Sequence, residues 1–271
     1  HSDVTYTAWD GASSITYPNN TAYVYLTGNA TINSNLVVDG TTLYLCLNGK
    51  TYASNGTNKI QVKNGGRLVL CDCRGSGTIK GATSGLGGMC IYLYTSTLDM
   101  FGGKLTGGKV TGSGGGAIYM RGSGTINITG NAEITGNSSS LDGGAILMGW
   151  GTININGNAK INNNTASRWG GAICLRRDSN QVTQIIMRGG EISGNKATKE
   201  GGAVHAVDKD CIFYLYDGKI TGNTSVDGGA IYLNQEPSTL SMHGGEISGN
   251  TATGNGGGIY IYRTGSVCEL Y

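Results

Sequence analysis

A chain of 271 residues with a net charge of +2, only 13% charged residues and no Lys/Arg block argues against a nucleic-acid or membrane-surface partner. Its 49 Gly and 2 Pro, without a Gly-X-Y period or the charge excess of a disordered chain, make glycine structural punctuation. No apolar run reaches the roughly 18 residues of a membrane-spanning helix, so no membrane insertion is expected.

The chain opens "HSDVTYTAWDG", without a charged and then apolar leader, as a mature or trimmed chain would. Residues 1–20 read as a possible N-terminal cap. Residues 21–86 carry short β-runs closed by Asn-Gly, Asp-Gly and Gly-Gly, as in "LVVDGTTLYLCLNGK" and "VKNGGRLVLCDCRG", and read as irregular first coils. Here "LYLCLNGK" and "LVLCDCRG" align Cys46 with Cys71. On adjacent parallel strands their Cα atoms would lie about 4.8 Å apart, within disulfide reach, with free thiols the preferred expectation. The seven cysteines (Cys46, Cys71, Cys73, Cys90, Cys174, Cys211, Cys268) are odd in number and lack paired CxxC spacing, so neither a disulfide framework nor a zinc site is indicated. No metal and no cofactor are expected.

Residues 87–271 are one sentence repeated. A Gly-Gly mark begins at Gly87, Gly115, Gly143, Gly170, Gly201, Gly228 and Gly256, at separations of 27 to 31 residues. Each unit contains apolar runs such as "AIYM", "TINI" and "AEIT", bounded by Gly or Asn, which predict three short strands. One such unit cannot bury its inner face alone, so the units stack as a solenoid. Equivalent strands then lie side by side and parallel, which makes an all-β parallel β-helix, right-handed by the usual crossover rule. The chain stops in "YRTGSVCELY", where a further strand is starting. An uncapped end exposes strand edges, so this end is expected to continue into more protein or to meet a partner.

The "GG[AG]IY…G.I.GN" units resemble the pectin-lyase-like right-handed parallel β-helix superfamily. They are most similar to repetitive surface proteins of gut Gram-positive bacteria and to the Gly-Gly-Ala-Ile repeats of chlamydial polymorphic membrane proteins. The resemblance covers residues 87–262 well and 21–86 loosely. It implies the fold and an extracellular or cell-wall-attached bacterial protein, but no single activity, because that superfamily includes lyases, hydrolases, adhesins and tailspikes.

Stacking turns sequence columns into physical ladders about 4.8 Å apart. The column Asn137, Asn164, Asn195, Asn223 and Asn250 predicts an internal asparagine ladder at a turn. The column Lys104, Glu133, Lys160, Glu191, Lys219 and Glu246 alternates in sign without a break, which favours the correct register over a slip by one coil.

The candidate site lies on the Gly-Gly strands. With Ile118, Ile146, Ile173, Val204, Ile231 and Ile259 facing inward, the column Tyr92, Tyr119, Leu147, Cys174, His205, Tyr232 and Tyr260 faces out, and predicts an exposed stripe that stacks on sugar rings or on a partner protein. Just before each Gly-Gly stand Asp142, Trp169, Glu200, Asp227 and Asn255, a polar border to that stripe. Glu200 and Asp227 are one coil apart, near the roughly 5 Å carboxylate spacing of a retaining glycosidase, with His205 close by. A pectate-lyase-type site is not indicated, because Arg121 and Arg176 have no acidic cluster beside them in the sequence. The sequence thus points to a non-catalytic surface domain that binds glycan or a host surface protein. The alternatives are a polysaccharide lyase or glycoside hydrolase and a pure structural stalk.

Overall fold

Glycine pairs build the turns that close each coil. Gly143, Gly170, Gly201 and Gly228 have φ of 62° to 68°, the left-handed region that a side chain disfavours. The second glycine of the pair is needed for space rather than torsion: a Cβ on Gly202 would collide with the Gly229 carbonyl oxygen of the next coil. Each coil therefore returns to the same place, and the computed structural model, which describes residues 4–85, 89–176, 181–235 and 237–271, is a parallel β-solenoid of about eight turns. The first Gly-Gly mark, Gly87, lies outside the described residues.

Among the described residues, three sheets of 17, 9 and 7 strands run along the solenoid. The Gly-Gly strands, for example Ile146–Met148, Ile173–Leu175 and Val204–Ala206, lie in the nine-stranded sheet, which Leu36–Asp39 and Ile60–Lys63 of the first coils extend. The "TINI" and "AEIT" runs share the 17-stranded sheet. They are separate in one coil, as Gly124–Ile128 and Glu133–Thr135, and fused in others, as Gly151–Asn162, Thr183–Ser193 and Cys211–Thr221. The third sheet consists of two-residue runs such as Thr165–Ala166 and Thr224–Ser225, too short for alternation to reveal. Near the N-terminus Thr7–Trp9 pairs in parallel with Thr21–Leu26, and Trp9 is buried edge-on against Tyr52 with centroids 5.4 Å apart.

The interior is a stack of aliphatic columns. Ile126, Ile153, Ile185, Phe213 and Leu240 are register partners, as are Ile134, Ile161, Ile192 and Ile220, and all are 0–2% exposed. At about 1.5–3 kcal/mol per buried side chain, these columns drive the stacking of coils.

Two polar ladders fix the register. Asn137, Asn164, Asn195, Asn223 and Asn250 sit at one turn, the first four buried. From Asn164 on, each Oδ1 accepts from the backbone N–H and the side-chain amide of the asparagine one coil earlier, as Asn223 does from Asn195 at 3.0 and 2.9 Å, while Asn137 Oδ1 accepts from the Gly108 N–H. Each amide also donates to the carbonyl two residues before it and to one in the preceding coil. The charged column pairs in register from Lys104 through Glu133, Lys160, Glu191 and Lys219 to Glu246, with Lys104–Glu133 at 2.8 Å and Lys219–Glu246 at 3.9 Å.

Candidate functional site

The outward column of the Gly-Gly sheet is not one exposed stripe. Its partners pair in register through Tyr92, Tyr119, Leu147, Cys174, His205, Tyr232 and Tyr260. Yet Leu147, Cys174 and His205 are 0–2% exposed and Tyr232 only 5%. The expectation of an open stripe is corrected here: Val207 and Trp169 fold over the middle of the sheet and make a second, small apolar cluster with Leu147 and Cys174 outside the solenoid. What remains open is divided in two. Tyr92 and Tyr119 meet edge-on at 5.8 Å on the N-terminal side, and Tyr260 lies on the C-terminal side.

His205 is the keystone of the covered part. Its ring is tilted against Trp169 at 5.1 Å and against Tyr232 at 4.9 Å, and neither ring nitrogen has a hydrogen-bond partner. Burial, reinforced by Arg168, pushes its pKa from 6.5 down to about 3. The imidazole is neutral and out of reach of a ligand, which removes it from both the proposed contact surface and the glycosidase constellation.

Asp142 is likewise not a free border acid. It is 1% exposed and held by Arg168, whose Nε lies 2.7 Å from Oδ1, while Arg176 Nη1 lies 3.7 Å from Oδ2. Arg176 therefore does have an acidic neighbour, one that the linear sequence separates from it by a coil. Arg168 also lies 4.0 Å over the Trp169 ring, so one guanidinium ties the turn acid to the aromatic cover.

The remaining border residues converge. Trp169, Glu200 and Asp227 are joined by successive parallel bridges. Together with Tyr232, Asn234, Asn255, Tyr260 and Tyr262 they line a groove of about 390 Å³. Tyr232 lies 5.4 Å from Tyr260 and 6.3 Å from Tyr262. Asp227 Oδ1 accepts from the Asn255 backbone N–H at 2.7 Å and its side-chain amide at 3.0 Å, so this carboxylate also ties down the next turn. Burial raises the pKa of Glu200; Lys199 opposes the shift and the Asp227 charge adds to it. The Trp169 indole N–H lowers it slightly without reaching hydrogen-bond geometry with the carboxyl. Asn234 and Tyr262 were not singled out in the sequence because they follow the strand rather than standing on its repeating column.

A second aromatic feature is built on the 17-stranded sheet. Arg188 lies 4.9 Å over Tyr216, Tyr216 stacks on His243 at 4.9 Å, and His243 stacks on Tyr271 at 4.4 Å. Their separations of 27 and 28 residues in sequence were a signal that the ladder existed.

Three segments, residues 153–176, 190–207 and 245–262, match the family model described as the Chlamydia polymorphic membrane protein repeat. The coil of this chain resembles that repeat. The likeness and the solenoid agree, and at the coarse level they describe a bacterial surface-type repeat protein. No curated protein and no solved structure matches the chain. Among the described residues, no helix is long and apolar enough to cross a membrane, and no group of three or more His, Cys, Asp or Glu side chains is placed to hold a metal ion.

Proposed function

We propose that this chain is a non-catalytic binding module of a bacterial surface protein, and that it takes a glycan in the groove between Trp169 and Tyr262. The observation that carries this reading is the convergence of aromatic rings with Glu200, Asp227 and Asn234 in one shallow groove. Sugar rings present apolar C–H faces that suit tyrosine, and hydroxyls that donate to carboxylates and amide oxygens. The volume accommodates one or two sugar rings, so affinity per site is modest.

A glycan array followed by titration calorimetry tests it. Tyr260→Ala and Tyr262→Ala should each weaken binding about tenfold or more, on the scale of a lost aromatic anchor, whereas Tyr92→Ala should leave it unchanged. The reading fails if no glycan binds, or if binding survives both groove substitutions.

One observation favours a second reading. Two carboxylates one coil apart, with the Glu200 pKa raised, resemble the acid and nucleophile of a retaining glycoside hydrolase. Release of reducing ends from a polysaccharide, abolished by Glu200→Gln, would establish it.

A further inference from the structure

The first coils hold three thiols that the binding reading leaves unused. Cys46 ends the strand Thr42–Cys46 and Cys71 ends Arg67–Cys71, and the two residues are direct register partners on neighbouring coils. Cys73 sits two residues further on, at the turn, and its Sγ lies 3.5 Å from Cys46 Sγ. All three are free thiols. They occupy one wall of a cavity of about 620 Å³ that Tyr6, Tyr25 and Phe101 complete.

The three differ in access and surroundings. Cys46 is buried, Cys71 is half-buried and Cys73 is exposed. The Cys71 thiol donates to the Leu45 carbonyl at 3.8 Å and lies 4.0 Å from the Tyr6 hydroxyl. The Cys73 thiol contacts Asn48 Oδ1 at 3.6 Å, and Arg74 Nε binds the same oxygen at 2.9 Å. The cluster thus has an exposed sulfur at its mouth, an inner sulfur in contact with it, and a third on the register partner of the inner one.

We propose that Cys46, Cys71 and Cys73 form a redox-active thiol site whose substrate class is low-molecular-weight disulfides. The exposed Cys73 thiol, its pKa raised by burial and by its contact with Cys46, first gives its proton to solvent; the thiolate attacks the external disulfide, a Cys73–S–S–R bond forms, the R–S–S–R bond breaks, and one small thiolate leaves and takes up a proton. The Cys46 thiolate then attacks Cys73 Sγ, an internal Cys46–Cys73 disulfide forms and the second small thiolate leaves. Two cysteines are oxidised by two electrons and one external disulfide is reduced to two thiols. Cys71 does not change oxidation state. The neighbouring Cys71 side chain, with contacts from Cys73 and Asn48 and against the effect of burial, holds the Cys46 thiol below the ordinary cysteine range, while the Cys71 and Cys73 thiols are pushed up.

The consequence is a covalent tie between consecutive coils close to the N-terminal end of the solenoid, made only where oxidised thiols are present. Few coils lie beyond this point to hold it by stacking alone.

Mass mapping of the intact protein tests the proposal. The reduced chain is titrated with mixtures of reduced and oxidised glutathione, quenched by acid and alkylated, and its peptides are identified. The expected product is a Cys46–Cys73 disulfide, with Cys71 recovered as an alkylated thiol and Cys90, Cys174 and Cys211 alkylated only after unfolding. In Cys46→Ser the glutathione adduct should persist on Cys73 rather than resolve, and in Cys73→Ser no internal disulfide should form. Free Cys46 and Cys73 throughout the titration in the wild type overturn the site. A Cys46–Cys71 disulfide in its place overturns the assignment of Cys71. Because wild-type mapping alone decides both outcomes, the test does not depend on a variant folding.

Discussion

Asn164 and Asn195 stand 31 residues apart, yet Asn195 Oδ1 accepts hydrogen bonds from both the backbone N–H and the side-chain amide of Asn164, at 2.9 and 3.0 Å. Since the Asn195 amide satisfies the Ile161 and Ser193 carbonyls in turn, one side chain completes two turns. Asn195→Ala should leave buried donors and acceptors without partners and destabilise the protein by roughly 2–3 kcal/mol. Chemical denaturation measures this, and a change below about 0.5 kcal/mol would mean that the ladder does not support the turns.

The second glycine of the pair is a steric requirement wherever another coil follows, at Gly116, Gly144, Gly171, Gly202 and Gly229, whereas some other glycines serve torsion alone. Gly202→Ala should prevent the next coil from docking, with a loss well above the roughly 1 kcal/mol expected of Gly56→Ala, where φ is 67° but nothing lies within 4 Å. Thermal unfolding of the two variants side by side checks the contrast. Equal losses would show that the close approach at Gly202 is not a steric requirement.

Lys160 is register partner to both Glu133 and Glu191. Lys160→Glu should set three like charges in a row, lower the unfolding midpoint by the equivalent of about 1 kcal/mol, and recover much of that loss in 1 M salt. A midpoint independent of salt would show that the column is electrostatically silent.

His205 makes the acid limb of stability steeper. Its folded pKa of about 3 lies below the ordinary 6.5, so the unfolded chain binds the extra proton between those values. Its contribution is complete above pH 6.5 and is lost as the pH falls towards 3, at about 1.4 kcal/mol per unit of pH at most. Glu200 has the opposite sign, since a raised carboxyl pKa stabilises the fold below the ordinary value and loses that contribution as the pH rises through the folded one. His205→Leu should therefore show a smaller drop in thermal midpoint than the wild type between pH 7 and 4.5. An identical drop would show that the imidazole does not titrate with folding.

The sequence by itself determined most of what repeats. The parallel sheets, the interior asparagines, the alternating charges and the inward Ile columns were legible because residues spaced by one coil must stack in a solenoid, so a column of letters is already a column of neighbours. The tertiary structure alone decided what covers the repeat. Tyr232 and His205 occupy the same outward column as Tyr119 and Tyr260, but Trp169 and Val207 close over the middle of that column. Asp142 and Glu200 occupy one turn position, but Arg168 claims the former and leaves the latter in the groove. Such coverage depends on turn residues whose identity varies from coil to coil and whose direction no period specifies, and it sets which of several equivalent positions faces solvent.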